Sequence, residues 1–286
     1  MRLSKTSPVE LAREVFVTEV EEVSMRIGCS LLTGQDMEAA VQAGFDYVEL
    51  MGKYLVSLQE RDFAMLLRQQ DRLSLPVLGL NGYCPKQIQM IGVEFTTGRA
   101  REYAKACAVR AHRLGVKYVG IGSPMSRNLS GEITYGEAVR QLEQFLSVTA
   151  EVFSKYDITV CLEALAKCYC NFVNDLQEAA DIVKELRLPN LALVVDFYNM
   201  EHMGEADTDL KRFAGHIAHA HISDDDGSPA ARSYLKREKR GVHQQRIRNL
   251  LAAGYGGAVS LEIDCRIDVE RAGQSADMLR NAASVM

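Results

Sequence analysis

Short apolar runs alternate along this chain with stretches whose apolar residues recur at helical spacing, and the alternation holds from Met25 onward. Met25-Arg-Ile-Gly-Cys-Ser30 predicts a first strand, and Gln35–Ala43 predicts a helix that stops at Gly44. Asp46-Tyr-Val-Glu-Leu50 reads as a strand, Gln59–Leu73 as an amphipathic helix, and Pro76-Val-Leu-Gly-Leu80 as the third strand. A long helix spans Thr97–Leu114 and closes at Gly115; Lys117-Tyr-Val-Gly-Ile121 follows as a strand, and Thr134–Lys155 as a helix. The pattern continues with strand Ile158–Glu163, helix Asp175–Leu188, strand Leu191–Asp196, a short helix near Asp207–Ala214 and strand Ile217–His221. Helix Val242–Ala253, strand Ala258–Glu262 and a helical tail after Asp268 complete it. Eight strands alternating with eight helices imply parallel strands joined by helical crossovers. The count and the length of residues 25–286 match an α/β protein of the closed (β/α)8 TIM-barrel type, which takes ~250 residues. A doubly wound open sheet competes, but no Gly-x-Gly-x-x-Gly follows the first strand. Pro8 precedes an amphipathic stretch, Val9–Val23, so residues 1–24 predict an extra N-terminal helix outside the barrel, unless Met25 is an internal start. The expected organisation is a 1–24 helical extension followed by one catalytic barrel domain over 25–286.

Composition narrows the functional classes. Apolar residues make up 47% and charged residues 25%, enough to bury a large core without disulfide or metal staples. There is no run of ~18 apolar residues to span a membrane, and Met1-Arg-Leu-Ser-Lys-Thr-Ser-Pro8 lacks the apolar core of a secretory signal. A net charge of −5 argues against a partner built of phosphates. Seven cysteines without a Cys-x-x-Cys pair suit a reduced, cytoplasmic setting.

Chemistry in such barrels sits at the C-terminal ends of the strands. The fifth to eighth strands end in Glu163, Asp196, His221 and Glu262. A charge at the end of an apolar run is costly to bury unless it is paired or binds metal. One such residue reads as a strand-end group bonding its own loop; four on consecutive strands favour a hard, mostly oxygen site for one divalent ion. Mn²⁺ is the first expectation, with Mg²⁺, Co²⁺ or Zn²⁺ as alternatives.

Several segments resemble the xylose-isomerase-like barrel superfamily, which includes sugar isomerases and the D-tagatose/D-psicose 3-epimerases. They are Phe45-Asp-Tyr-Val-Glu-Leu50, Val160-Cys-Leu-Glu-Ala-Leu165 with Asn171-Phe-Val-Asn174, Val195-Asp-Phe-Tyr198, His219-Ala-His-Ile-Ser-Asp224, and Gly254-Tyr-Gly-Gly257 leading to Ser260-Leu-Glu262. The resemblance implies that Glu163, Asp196, His221 and Glu262 bind one metal ion. It also implies that Glu163 and Glu262 double as the acid/base pair on opposite faces of a sugar. Moving a proton next to a carbonyl needs two such carboxylates, one to take the proton and one to return it. Three segments depart from the epimerase pattern. Asp-x-x-His becomes Asp196-Phe-Tyr-Asn199, Glu-x-Leu-Asn-Arg-x-Glu becomes Glu163-Ala-Leu-Ala-Lys-Cys-Tyr169, and Gly227 stands where an arginine is expected six residues after the seventh-strand histidine.

Lys167, Asn199, His219, Glu49 and Asn81 complete the expected substrate-binding set, each having a structural reading beside the functional one: a solvated lysine, a core histidine, strand-end groups bonding their own loops. Cys168 and Cys170 read as free thiols. The basic run Arg232–Arg240 reads as a solvated lid over the barrel mouth. Asp224–Asp226 repel phosphate and favour a neutral sugar or polyol, whereas Arg266 leaves a phosphorylated substrate open. The expected function is a metal-dependent isomerase or epimerase acting on a ketose or related polyol through an enediolate. The alternatives are a lyase, dehydratase or deglycosidase on a polyol, inosose or glycoside, an abasic-site endonuclease, and a silent sugar-binding barrel. Expected partners are a small-molecule sugar or polyol and further copies of the chain, with no nucleic acid and no membrane.

Overall fold

The apolar runs form a single ring. The computed structural model describes residues 25–284, so the helix expected within 1–24 lies outside the described residues. The ring strands are β1 (Arg26–Leu31), β2 (Tyr47–Met51), β3 (Val77–Asn81), β4 (Tyr118–Ile121), β5 (Thr159–Glu163), β6 (Leu191–Asp196), β7 (Ile217–Ile222) and β10 (Ala258–Leu261). They close in the order β1-β10-β7-β6-β5-β4-β3-β2, and every neighbouring pair is parallel. This is the (β/α)8 barrel. Its strands are buried almost end to end because helices cover the outer face and side chains fill the inner one.

The outer layer comprises α1 (Met37–Gln42), α3 (Glu60–Leu73), α4 (Thr97–Leu114), α5 (Tyr135–Ser154), α6 (Leu176–Leu186), α8 (Arg240–Ala252) and α9 (Val269–Ala283). Local chemistry sets their ends. Thr134 and Glu137 form a reciprocal capping box at the start of α5, and α4 stops at Gly115 with a φ of 80°. The helix expected at 207–214 is only a short 3₁₀ turn, Leu210–Phe213. Two short helices follow strands directly without a turn residue between, α2 (Gly52–Ser57) after β2 and α7 (Phe197–His202) after β6. No helix of the described residues is long and apolar enough to cross a membrane.

Inside the ring, alternate residues of each strand point to the axis. Tyr47 and Tyr118 lie there fully or almost fully buried, with the Tyr47 hydroxyl 2.8 Å from Ser260 Oγ. Glycines on the adjacent strands make room for both rings. A Cβ on Gly28 would overlap the ring of Tyr47, and one on Gly79 the ring of Tyr118. Gly79→Ala is therefore expected to cost about 1–3 kcal/mol by overpacking, read as a lower urea midpoint at an unchanged m value. An unchanged midpoint would mean that the ring yields without cost.

Candidate active site

The strand ends bring Glu163, Asp196, His221 and Glu262 together: each offers a ligand atom, and these atoms lie within 4.8 Å of one another. Donors on opposite sides of a single ion with bonds of ~2.0–2.4 Å stand ~4–5 Å apart, so the spread suits one coordination sphere. The orientation of His221 supports the same fit. Its Nε2 faces Glu49, 3.3 and 3.2 Å from the two carboxylate oxygens. Its Nδ1 faces Glu262 Oε2 at 3.4 Å and Glu163 Oε1 at 3.9 Å. That Nδ1 is buried without a hydrogen-bond partner, as a nitrogen reserved for a cation would be. The residues present therefore fit a divalent ion.

Beneath this set lies a second polar cluster. Glu49 Oε1 is 2.6 Å from His219 Nε2, and the His219 ring stacks on Tyr118 with centroids 4.0 Å apart. Burial alone would raise the Glu49 carboxyl, but the two imidazoles outweigh it and hold Glu49 well below the usual carboxylate range. Above, the balance is reversed. Burial pushes the Glu163 carboxyl up to about 7, the nearby His221 imidazole opposing and the charges of Glu262 and Asp196 adding. Burial raises Glu262 as well, against Arg232 and His221. Asp196 is held low, because Arg232 overcomes its burial.

Arg232 is the residue the sequence reading missed. It lies in a short antiparallel pair off the ring, β8 (Asp224–Asp225) with β9 (Arg232–Ser233), where Asp225 stands opposite Arg232. The pair folds the chain back over the barrel mouth and points the guanidinium inward. Nη2 is 2.6 Å from Asp196 Oδ2 and 4.0 Å from Glu163 Oε1, and Nη1 is 2.8 Å from Glu262 Oε2. The ring of Tyr198, 4.7 Å from the guanidinium carbon, covers one side. Gly227 thus does not leave the site without an arginine; one arrives five residues later in the chain. The solvated lid expected at 232–240 is correspondingly shorter, since Arg232, Ser233, Tyr234 and Leu235 are all buried. The acidic run is also engaged: Asp224 Oδ2 accepts from Lys236 N at 2.7 Å and lies 2.9 Å from His243 Nε2.

The other expected residues take distinct places. Asn199 Nδ2 donates to Asp196 Oδ2 at 2.8 Å and Glu163 Oε1 at 3.1 Å, while its Oδ1 accepts from Ala166 N, so it braces two carboxylates. Asp196 Oδ1 caps α7 by accepting from Tyr198 N and Asn199 N, leaving Oδ2 toward the cluster. Asn81 Nδ2 donates to Glu262 Oε1 at 3.1 Å. Glu49 and His219 lie below the strand-end cluster, and Lys167 is exposed and outside the cavity lining. Arg266 pairs with Asp36 instead of turning to the mouth. Cys168 is exposed and Cys170 buried, both free. A cavity of about 150 Å³ opens on the carboxylates, walled by Met51, Lys53, Gly82, Gly122, Ser123, Pro124, Leu165 and Tyr169 beside Glu163, Arg232, Glu262 and Asp264. Gly122 is there for a steric reason, since a Cβ on it would overlap Glu163 Oε2.

A family model described as the xylose isomerase-like TIM barrel matches residues 37–282. An inosose isomerase of Bacillus velezensis is 26% identical over 204 residues, which are 68% of this chain and 68% of that protein. The structure of a D-psicose 3-epimerase with D-tagatose, from Clostridium cellulolyticum H10, superposes with a TM-score of 0.68 at 16% identity, over 91% of this chain and 96% of that one. The IOLI protein, solved with a zinc atom, superposes with a TM-score of 0.70 at 20% identity, over 91% and 98% of the two chains.

Proposed function

The chain belongs to the xylose isomerase-like TIM barrel family, and from that premise we propose that it is a divalent-metal-dependent isomerase or epimerase of a ketose, inosose or related carbonyl polyol. The observation that carries this reading is the convergence of Glu163, Asp196, His221 and Glu262 within 4.8 Å around the orphaned His221 Nδ1. An ion bound there supplies Lewis-acid polarisation of the substrate carbonyl and stabilises charge that develops on its oxygen. The protein's own groups do the rest. One of Glu163 and Glu262 takes the proton from the carbon next to the carbonyl, and the C–H electron pair becomes the double bond of an enediolate. The other returns a proton. Delivery to the opposite face of the same carbon gives the epimer; delivery to the neighbouring carbon gives the isomer.

The surroundings suit those tasks. Asn199 holds Glu163 Oε1 in place, and Asn81 does the same for Glu262 Oε1. Arg232, buried among the carboxylates, offers fixed positive charge near the developing oxyanion without reorganising water. Glu49 orients His221 so that Nδ1 is the nitrogen turned to the cluster.

The test is solvent exchange. Protein stripped with a chelator and reloaded with Mn²⁺ should catalyse wash-in of deuterium from D₂O at a substrate C–H within a panel of free ketoses, inososes and sugar phosphates, followed by NMR. The exchange should stop with EDTA. Metal-loaded protein that exchanges no C–H in any carbonyl polyol would overturn the proposal.

A further inference from the structure

The cavity over the carboxylates is small for a substrate site. At about 150 Å³ it falls below the ~300–1,000 Å³ of ordinary small-molecule pockets. A second compartment of about 330 Å³ adjoins it, and the two share Lys53, Gly82, Ser123 and Pro124 as a common wall. The second compartment adds Cys84, Pro85, Lys86, Gln87 and Met125.

Its charge is one-sided. Among the described residues two ammonium groups, Lys53 and Lys86, line it and no carboxylate does, in a chain whose net charge is −5. Among the described residues neither lysine forms an ion pair, whereas Lys236 and Lys239 are tied to Asp225 at 3.2 Å and Glu201 at 2.8 Å. Arg232 in the first compartment is already paired with Asp196 and Glu262. Among the described residues that line the two compartments, the two lysines are the cations left to meet a ligand.

The walls are preformed. Ser123 sits in the left-handed region with a φ of 49° and a ψ of 66°, and its Oγ accepts from Cys84 N at 3.1 Å. A non-glycine residue held there marks strain that the surrounding bonds must sustain. Lys53 N donates to Gly82 O at 3.4 Å, and the preceding Gly52 packs so closely on Tyr83 that a Cβ would meet its carbonyl oxygen at 2.6 Å. The base of the Lys53 side chain is thus fixed by backbone contacts.

We infer that the substrate carries an anionic substituent, a phosphate or a carboxylate, remote from its reacting carbonyl, and that Lys53 and Lys86 receive it in the second compartment. This rests on the proposed reaction for the position of the carbonyl. Charge then fixes the orientation: the anion is repelled by Glu163, Glu262 and Asp264 at one end and attracted by the lysines at the other.

Calorimetric titration of the Mn²⁺-loaded protein with D-fructose, D-fructose 6-phosphate and 5-keto-D-gluconate tests this and separates the two anions. One anionic ligand should bind about tenfold or more tightly than D-fructose, the scale of one charge-assisted hydrogen bond. The ratio should fall toward one in Lys53→Met/Lys86→Met. Equal affinities, an advantage that survives the double substitution, or binding of none of the three would overturn the inference. Deuterium exchange without any anion preference defeats this inference alone, and lysine-dependent anion binding without exchange defeats the proposed reaction alone.

Discussion

Glu163→Gln and Glu262→Gln are each expected to lower net turnover by about 10²–10⁴-fold, the usual cost of losing a general base. Glutamine keeps the shape and one oxygen for a cation or for the bond from Asn199 or Asn81. It cannot take up the substrate proton. The two variants should differ in what survives. If the carboxylates serve opposite faces, a variant that retains the base facing the labile C–H still washes deuterium into the substrate slowly while failing to convert it. The partner variant loses both. Near wild-type conversion in both variants would rule out a two-carboxylate mechanism and leave hydride shift or simple binding to explain the site. Asp196→Asn should behave differently, because Asp196 is committed to capping α7 through one oxygen and to the cluster through the other. Its main loss is affinity for the ion, so excess Mn²⁺ should recover part of the activity.

The second large effect concerns stability. Arg232→Met removes the cation that neutralises Asp196 and Glu262 and leaves buried carboxylates without compensation. Breaking a buried pair from one side costs roughly 3–5 kcal/mol. At about 2–4 °C per kcal/mol for a domain of this order, the chelator-treated variant should melt ~6–20 °C below wild type. Saturating Mn²⁺ should recover most of that deficit, since a divalent ion supplies the missing positive charge. Lower pH should also narrow the gap between variant and wild type: without Arg232 the folded carboxylates titrate above their unfolded values, so the penalty is full above the raised folded pKa and fades as they take up protons. A deficit of the same size with and without Mn²⁺ would instead assign Arg232 to packing between Tyr169 and Tyr198.

The eight ring strands were legible because each is an apolar run bounded by polar or glycine residues, and such runs in a parallel sheet are buried on both faces. The cluster at the strand ends was legible for the same reason, as Glu163, Asp196, His221 and Glu262 each interrupt or end such a run. What escaped has a common cause in three-dimensional pairing. Helix α7 begins at Phe197 with Asp196 as its cap, so one residue serves as strand end, helix start and site carboxylate, and no turn residue announces the change. Arg232 begins a run of charge that resembles any solvated loop, and only the pairing of Asp225 with Arg232 turns it inward. Lys53 and Ser123 carry no motif. They become neighbours of the carboxylates only because the start of α2 and the loop after β4 meet over the mouth.

The hairpin that delivers Arg232 stands apart from the hydrogen-bonded ring. Its length can therefore change by insertion or deletion without shifting the register of any barrel strand, as surface loops generally allow. A guanidinium mounted on such an arm can be re-aimed by adding or removing residues instead of by exchanging one side chain for another. Comparing relatives column by column would score that repositioning as the loss of an arginine at one site and an unremarkable gain at another. Reading which cation each mouth loop lowers onto the strand-end carboxylates would recover the correspondence that alignment discards.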